Sequence, residues 1–209
     1  MNIYLIILVG LIVSIALFLV ISSLLKKGNR SNSANNPKDI GTIFYHEDDY
    51  CQVQLLPMEN YPNLIKQAKN ISDFSKNNFD GNGWSEMKIR DEIGVKISDR
   101  NILPQSLDEI LLNLKSIKHT VVITGYGENH RVLSENTIGY GEDYIAMYYD
   151  FDKEKIKNIW MTNVSSFNEN KATQVLLELG KKWNLILMDW NSLELIDLNN
   201  KEEIENYLN

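Results

Sequence analysis

The sequence predicts an α+β domain behind a single N-terminal transmembrane helix, its sheet mixed or antiparallel and covered by helices. Three observations carry this. Ile3–Leu25 runs 23 positions without a charged side chain. Gly28–Asp39, GNRSNSANNPKD, is polar, small and unpatterned, with nothing to bury. Past Ile40, short strand-like runs are interspersed with segments of helical period. The chain therefore divides into an anchor (1–27), a flexible linker (28–39) and an acidic domain (40–209).

At about 1.5 Å per residue the first run would span roughly 35 Å as a helix, enough to cross a hydrocarbon core of about 30 Å. It is longer than a signal-peptide core, no basic segment precedes it, and Ser22-Ser23-Leu24-Leu25 is a poor cleavage site. A retained span is expected. Lys26, Lys27 and Arg30 follow it, and the positive-inside bias then places the C-terminal domain on the cytoplasmic side of the cytoplasmic membrane. The single cysteine, Cys51, has no internal disulfide partner and fits a reducing compartment.

In the domain, Thr42–Tyr45 and Tyr50–Leu56 read as strands, the second with Cys51, Val53 and Leu55 on one face and Gln52 and Gln54 on the other. His46-Glu47-Asp48-Asp49 is a polar corner between them. Asn60-Tyr61-Pro62 opens a helix, as cap and early proline, whose stripe is Leu64, Ile65, Ala68, Ile71 and Phe74. Asp80-Gly81-Asn82-Gly83 is a turn, and Met87–Ile97 a strand. Ser106 caps a second helix with Leu107, Ile110, Leu111 and Leu114 inward. His119–Gly125 reads as a core strand, and Asp143–Phe151 with Ile156–Thr162 as a hairpin. Asn168–Lys182 is a helix with Ala172, Val175, Leu176 and Leu179 inward, and Leu185–Met188 a strand buried on both faces. Glu194–Leu198 is a short strand, and Asn199–Leu208 a closing helix with Ile204 and Leu208 facing in.

Residues 1–39 hold four of the 21 basic and one of the 28 acidic side chains, which leaves the domain with 17 and 27, a net of −10. Such a domain repels phosphate backbones, so nucleic acid is excluded as a partner. A basic protein surface is attracted instead.

No motif delivers a catalytic or metal centre. His46, Glu47, Asp48, Asp49 and Cys51 are rich in ligand types, but neighbours on a strand point to opposite faces and no second paired motif supports zinc. Asn78–Gly83 imitates a calcium loop, yet its first position is Asn and its twelfth is Ile89 where a bidentate Glu is needed. Gly125–Glu128 and Gly139–Glu142 repeat the tetrad GYGE without the following helix and lysine of a phosphate cradle. They read as turns presenting Tyr126 and Tyr140 on one rim. Ser165 and Ser166 lack a nucleophile elbow. No cofactor is expected.

Two segments, FYHEDDYCQVQLLPMEN (Phe44–Asn60) and ATQVLLELGKKWNLILMDWNSLELIDLNNKEEIENYL (Ala172–Leu208), resemble small immunity proteins of bacterial contact-dependent and type VI polymorphic-toxin systems. The resemblance implies an acidic α+β domain that binds and blocks a cognate toxin without being an enzyme. The candidate binding residues are Glu47, Asp48 and Asp49 with the aromatics Trp84, Tyr126 and Tyr140. Two other readings stay open: a membrane-tethered hydrolase using His130 with Glu128 or a site near His46, and a structural subunit of an envelope complex.

Overall fold

The computed structural model describes residues 41–83, 86–127, 130–142 and 144–209. The expected membrane span, the linker, Trp84 and Glu128 lie outside them. Among the described residues no helix is long and apolar enough to cross a membrane.

The domain is α+β, mostly antiparallel, with ten strands and four α-helices among the described residues. Strands β1 (Thr42–His46), β4 (Val121–Gly125) and β5 (Arg131–Leu133) form a small sheet in the order β1-β4-β5. The other seven strands are β2 (Val53–Pro57), β3 (Lys118–His119), β6 (Thr137–Glu142), β7 (Ile145–Asp152), β8 (Lys155–Thr162), β9 (Leu185–Asp189) and β10 (Glu194–Asp197). They form an antiparallel sheet ordered β10-β9-β2-β8-β7-β6-β3. The one parallel pair is β1 with β4, Thr42 opposite Val121 through His46 opposite Gly125. A single sheet was the expectation; the early strand β1 instead leaves the main sheet to pair with β4.

Helices cover both faces of the large sheet rather than one. Helices α2 (Pro104–Leu111), α3 (Glu169–Trp183) and α4 (Lys201–Leu208) bury Leu107, Val175, Leu176, Leu179 and Ile204 against Val53, Leu55, Met147, Tyr149, Leu185 and Leu187. The opposite face is divided. Helix α1 (Tyr61–Asn78) packs Leu64 and Ala68 on Leu56, Ile186 and Met188. The small sheet packs Ile43, Tyr45 and Val122 on Ala146, Tyr148 and Trp160. Alternate residues of β2, β7 and β9 thus enter opposite cores, so Leu185–Asp189 is buried at every position.

Local chemistry sets the helix ends. Asn168 accepts from the Lys171 N–H (3.2 Å), Asn200 accepts from Glu202 and Glu203, and Asn184 stops α3 at a φ of 52°. Asn60 departs from its expected capping role. Its amide donates to the Pro57 and Val95 carbonyls and accepts from the Val95 N–H. That contact, with Gln67 accepting from the Asp91 N–H at 3.2 Å, holds the segment expected as a strand from Met87 to Ile97. No strand forms there, and Met87 and Ile89 are 88% and 84% exposed. α2 begins at Pro104, before Ser106, because proline's fixed φ suits a first turn. Asp80-Gly81-Asn82-Gly83 is the expected turn, with Asp80 Oδ1 accepting from the Asn82 and Gly83 N–H groups, each at 2.9 Å.

Candidate functional site

The acidic corner is built by β1 and the residue that closes it. His46 Nδ1 accepts from the Asp48 N–H at 3.3 Å and caps a 3-10 turn, Glu47–Asp49. All three carboxylates of that turn are exposed. Cys51 then takes a left-handed backbone (φ 54°), so the expected alternation from Cys51 to Leu55 starts only at Val53. The thiol turns toward the small-sheet core, where burial, aided by the nearby Asp150 carboxylate, pushes its pKa up to about 12.

Parallel pairing of β1 with β4 sets Gly125 opposite His46, and so brings Tyr126 beside the corner. The Tyr126 ring stands edge-on to His46 at 5.3 Å. Its phenol is raised above the ordinary value by the Glu47 carboxylate, then by Asp48. Two residues that sequence singled out eighty positions apart thereby share one wall.

That wall borders an open groove of about 610 Å³. Glu47, Asp48 and Tyr126 line it with Val132, Ser134 and Glu135, and Tyr45, Tyr50, Gln52, Thr124, Thr137 and Asp150 complete it. Four carboxylates, Glu47, Asp48, Glu135 and Asp150, therefore line one cavity among the described residues, with no lysine or arginine among its lining. One part of it is pre-organised. The Tyr50 hydroxyl donates to Asp150 Oδ2 (2.7 Å), and Asn158 Nδ2 donates to the Tyr50 oxygen (2.9 Å) and to both Asp150 oxygens (3.0 Å). Burial, then this bond to Asp150, raises the Tyr50 phenol. Tyr45 meets Ser134 at 3.1 Å, and Ser134 meets Thr137 at 2.8 Å. Tyr50, Glu135 and Asp150 were not singled out from sequence. Tyr50 adjoins the acidic corner, which was a usable signal; Asp150 reaches the groove only through the β7–β8 hairpin.

Asp49 faces elsewhere, into a neighbouring cavity of about 360 Å³ with Gln52, Asp189, Asn191 and Tyr207. Tyr140 is a correction. It is fully buried, because Gly139–Glu142 lies inside β6 rather than in a turn. Its hydroxyl donates to Asp108 Oδ1 at 2.6 Å, beside the Tyr149 hydroxyl at 2.7 Å, and Lys118 Nζ meets Asp108 Oδ2 at 2.6 Å. One glycine of each GYGE tetrad serves close approach: a Cβ on Gly125 would overlap the His130 carbonyl, and one on Gly141 the Ile145 carbonyl.

Of the hydrolase pair, Glu128 lies outside the described residues, and the three histidines stand in different settings. His119 is buried with Nε2 at 3.0 Å from the Gly141 carbonyl, His130 is exposed, and His46 is used as a cap. No group of three or more His, Cys, Asp or Glu is placed to hold a metal ion among the described residues. Comparison with protein families, curated proteins and solved structures returns no match.

Proposed function

We propose that this chain is a membrane-anchored, non-enzymatic binding protein of immunity type, which occludes a basic surface of a cognate toxin. The observation that carries the reading is the acidic groove, where four carboxylates from three separate segments meet exposed aromatic edges without an intervening cation. Exposed carboxylates speed and orient encounter with a basic partner, and tyrosine supplies contact area at low entropic cost. The apolar run Ile3–Leu25 would hold the domain at the cytoplasmic membrane, where an incoming toxin would be met.

Co-expression with toxic proteins encoded beside it is the test. Wild type is expected to restore growth, and Glu47→Lys with Asp48→Lys to lose protection while remaining folded by circular dichroism. Toxicity that persists despite abundant folded wild type would sink the idea. So would full protection by the double charge reversal.

A further inference from the structure

The small sheet ends on β5, and nothing pairs with its outer side among the described residues. The register opposes Thr124 to Val132, and the Ser134 N–H donates to the Val122 carbonyl at 2.8 Å. Bonded pairs alternate along an antiparallel ladder, so Val132 spends its backbone groups on β4. The N–H and C=O of Arg131 and Leu133 face outward. Edges of this kind are usually blunted by charge or proline. Here the one charged side chain, Arg131, lies with its guanidinium 4.7 Å over the Phe44 ring. Val132 and Leu133 are 62% and 59% exposed.

We infer that an extended basic segment of the partner adds to β5 as a fourth strand, its alternate lysines or arginines entering the acidic groove. The inference rests on the binding reading above and names what is bound. Side chains of an added strand alternate between the two faces of the sheet. Those level with Val132 fall on the groove side, toward Glu47, Asp48, Glu135 and Asp150. Those level with Arg131 and Leu133 fall on the outer face, where an apolar residue packs on Leu133. The recognised pattern is therefore basic–apolar–basic. β5 spans three residues, so backbone pairing is brief and charge supplies much of the affinity.

The probe is a capped peptide of alternating lysine and valine, titrated against the full-length protein at low salt by fluorescence anisotropy. Two derivatives are N-methylated, one at the valines and one at the lysines. Only one set of amides can face β5, the valines if the strand adds antiparallel and the lysines if parallel. One derivative is expected to bind about tenfold more weakly than the other. Equal behaviour of the two, or no binding of the parent peptide, overturns the inference. The Glu47→Lys, Asp48→Lys variant separates the two ideas. Should it lose the parent peptide while both methylated forms bind wild type alike, the strand fails and the groove stands. Should it bind the parent unchanged, the groove reading falls too.

Discussion

The two sheets divide the labour of the molecule. The seven-stranded sheet is covered on both faces, and β9, between β10 and β2, is buried at every residue. The three-stranded sheet is packed on one face only: Ile43, Tyr45 and Val122 go inward, whereas Val121 and Leu133 are 43% and 59% exposed. The first sheet supplies stability through apolar area removed from water. The second is held just firmly enough to present a groove, an edge and a row of carboxylates. Glu47, Asp48 and Glu135 are exposed, so the chemistry of their part of the groove can change without touching the core.

The sharpest way to break this comparison is to make matched truncations in the two sheets. Leu187→Ala is expected to cost about 3 kcal/mol, from lost transfer energy and a residual cavity. Leu133→Ala is expected to stay within about 0.5 kcal/mol. Urea unfolding of both variants decides it; equal losses would dissolve the distinction.

Gly125→Ala tests how far the small sheet can fail alone. Its φ of 145° and the overlap with the His130 carbonyl should cost about 1–3 kcal/mol. Amide exchange should accelerate at Val132 and remain slow at Leu187.

Alkali sharpens the contrast by another route. Burial raises the phenols of Tyr50, Tyr140, Tyr148, Tyr149 and Tyr207 above the ordinary value of 10.0. These acids hold their protons when folded and lose them on unfolding, so the phenols' contribution to stability is intact below pH 10 and falls as pH rises beyond it. Cys51, held up to about 12 against an ordinary 9.0, adds a loss of about 1.4 kcal/mol per pH unit between those values. Tyrosinate absorbance should therefore rise in two phases: exposed phenols near pH 10, then the buried set together with the loss of secondary structure.

The smallest effect concerns the corner. Glu47→Gln with Asp48→Gln should change stability by no more than about 0.5 kcal/mol, since both carboxylates are exposed. The salt dependence of partner binding should flatten at the same time.

Much of the fold was legible because α3, β9 and α4 have unambiguous periods and asparagine caps. The misreadings share a cause, which is partners far away in the chain. Met87–Ile97 has strand-like alternation, yet Asn60 and Gln67 side chains take the backbone bonds a neighbouring strand would have taken. Identical GYGE tetrads meet different fates: β4 ends at Gly125 and leaves Tyr126 exposed beyond it, whereas Tyr140 lies within β6, between β7 and β3, and is interior. The candidate site was half legible. Glu47, Asp48 and Tyr126 carried local signals, whereas Glu135 and Asp150 are ordinary acids until topology gathers them.

The pairing of β2 has a consequence for how the protein is made. Val53 sits between Met161 and Asp189, so a strand near the start of the domain has both neighbours more than a hundred positions downstream. While the chain emerges from the ribosome, β2 waits with both edges open. Contacts of such span form late and cooperatively. A chain interrupted before Leu185 leaves β2 without β9 on one side, and a chain interrupted before Lys155 leaves it without either neighbour. The full sheet therefore arrives only with nearly complete synthesis, and a truncated product would present acidic charge without the shape of the groove.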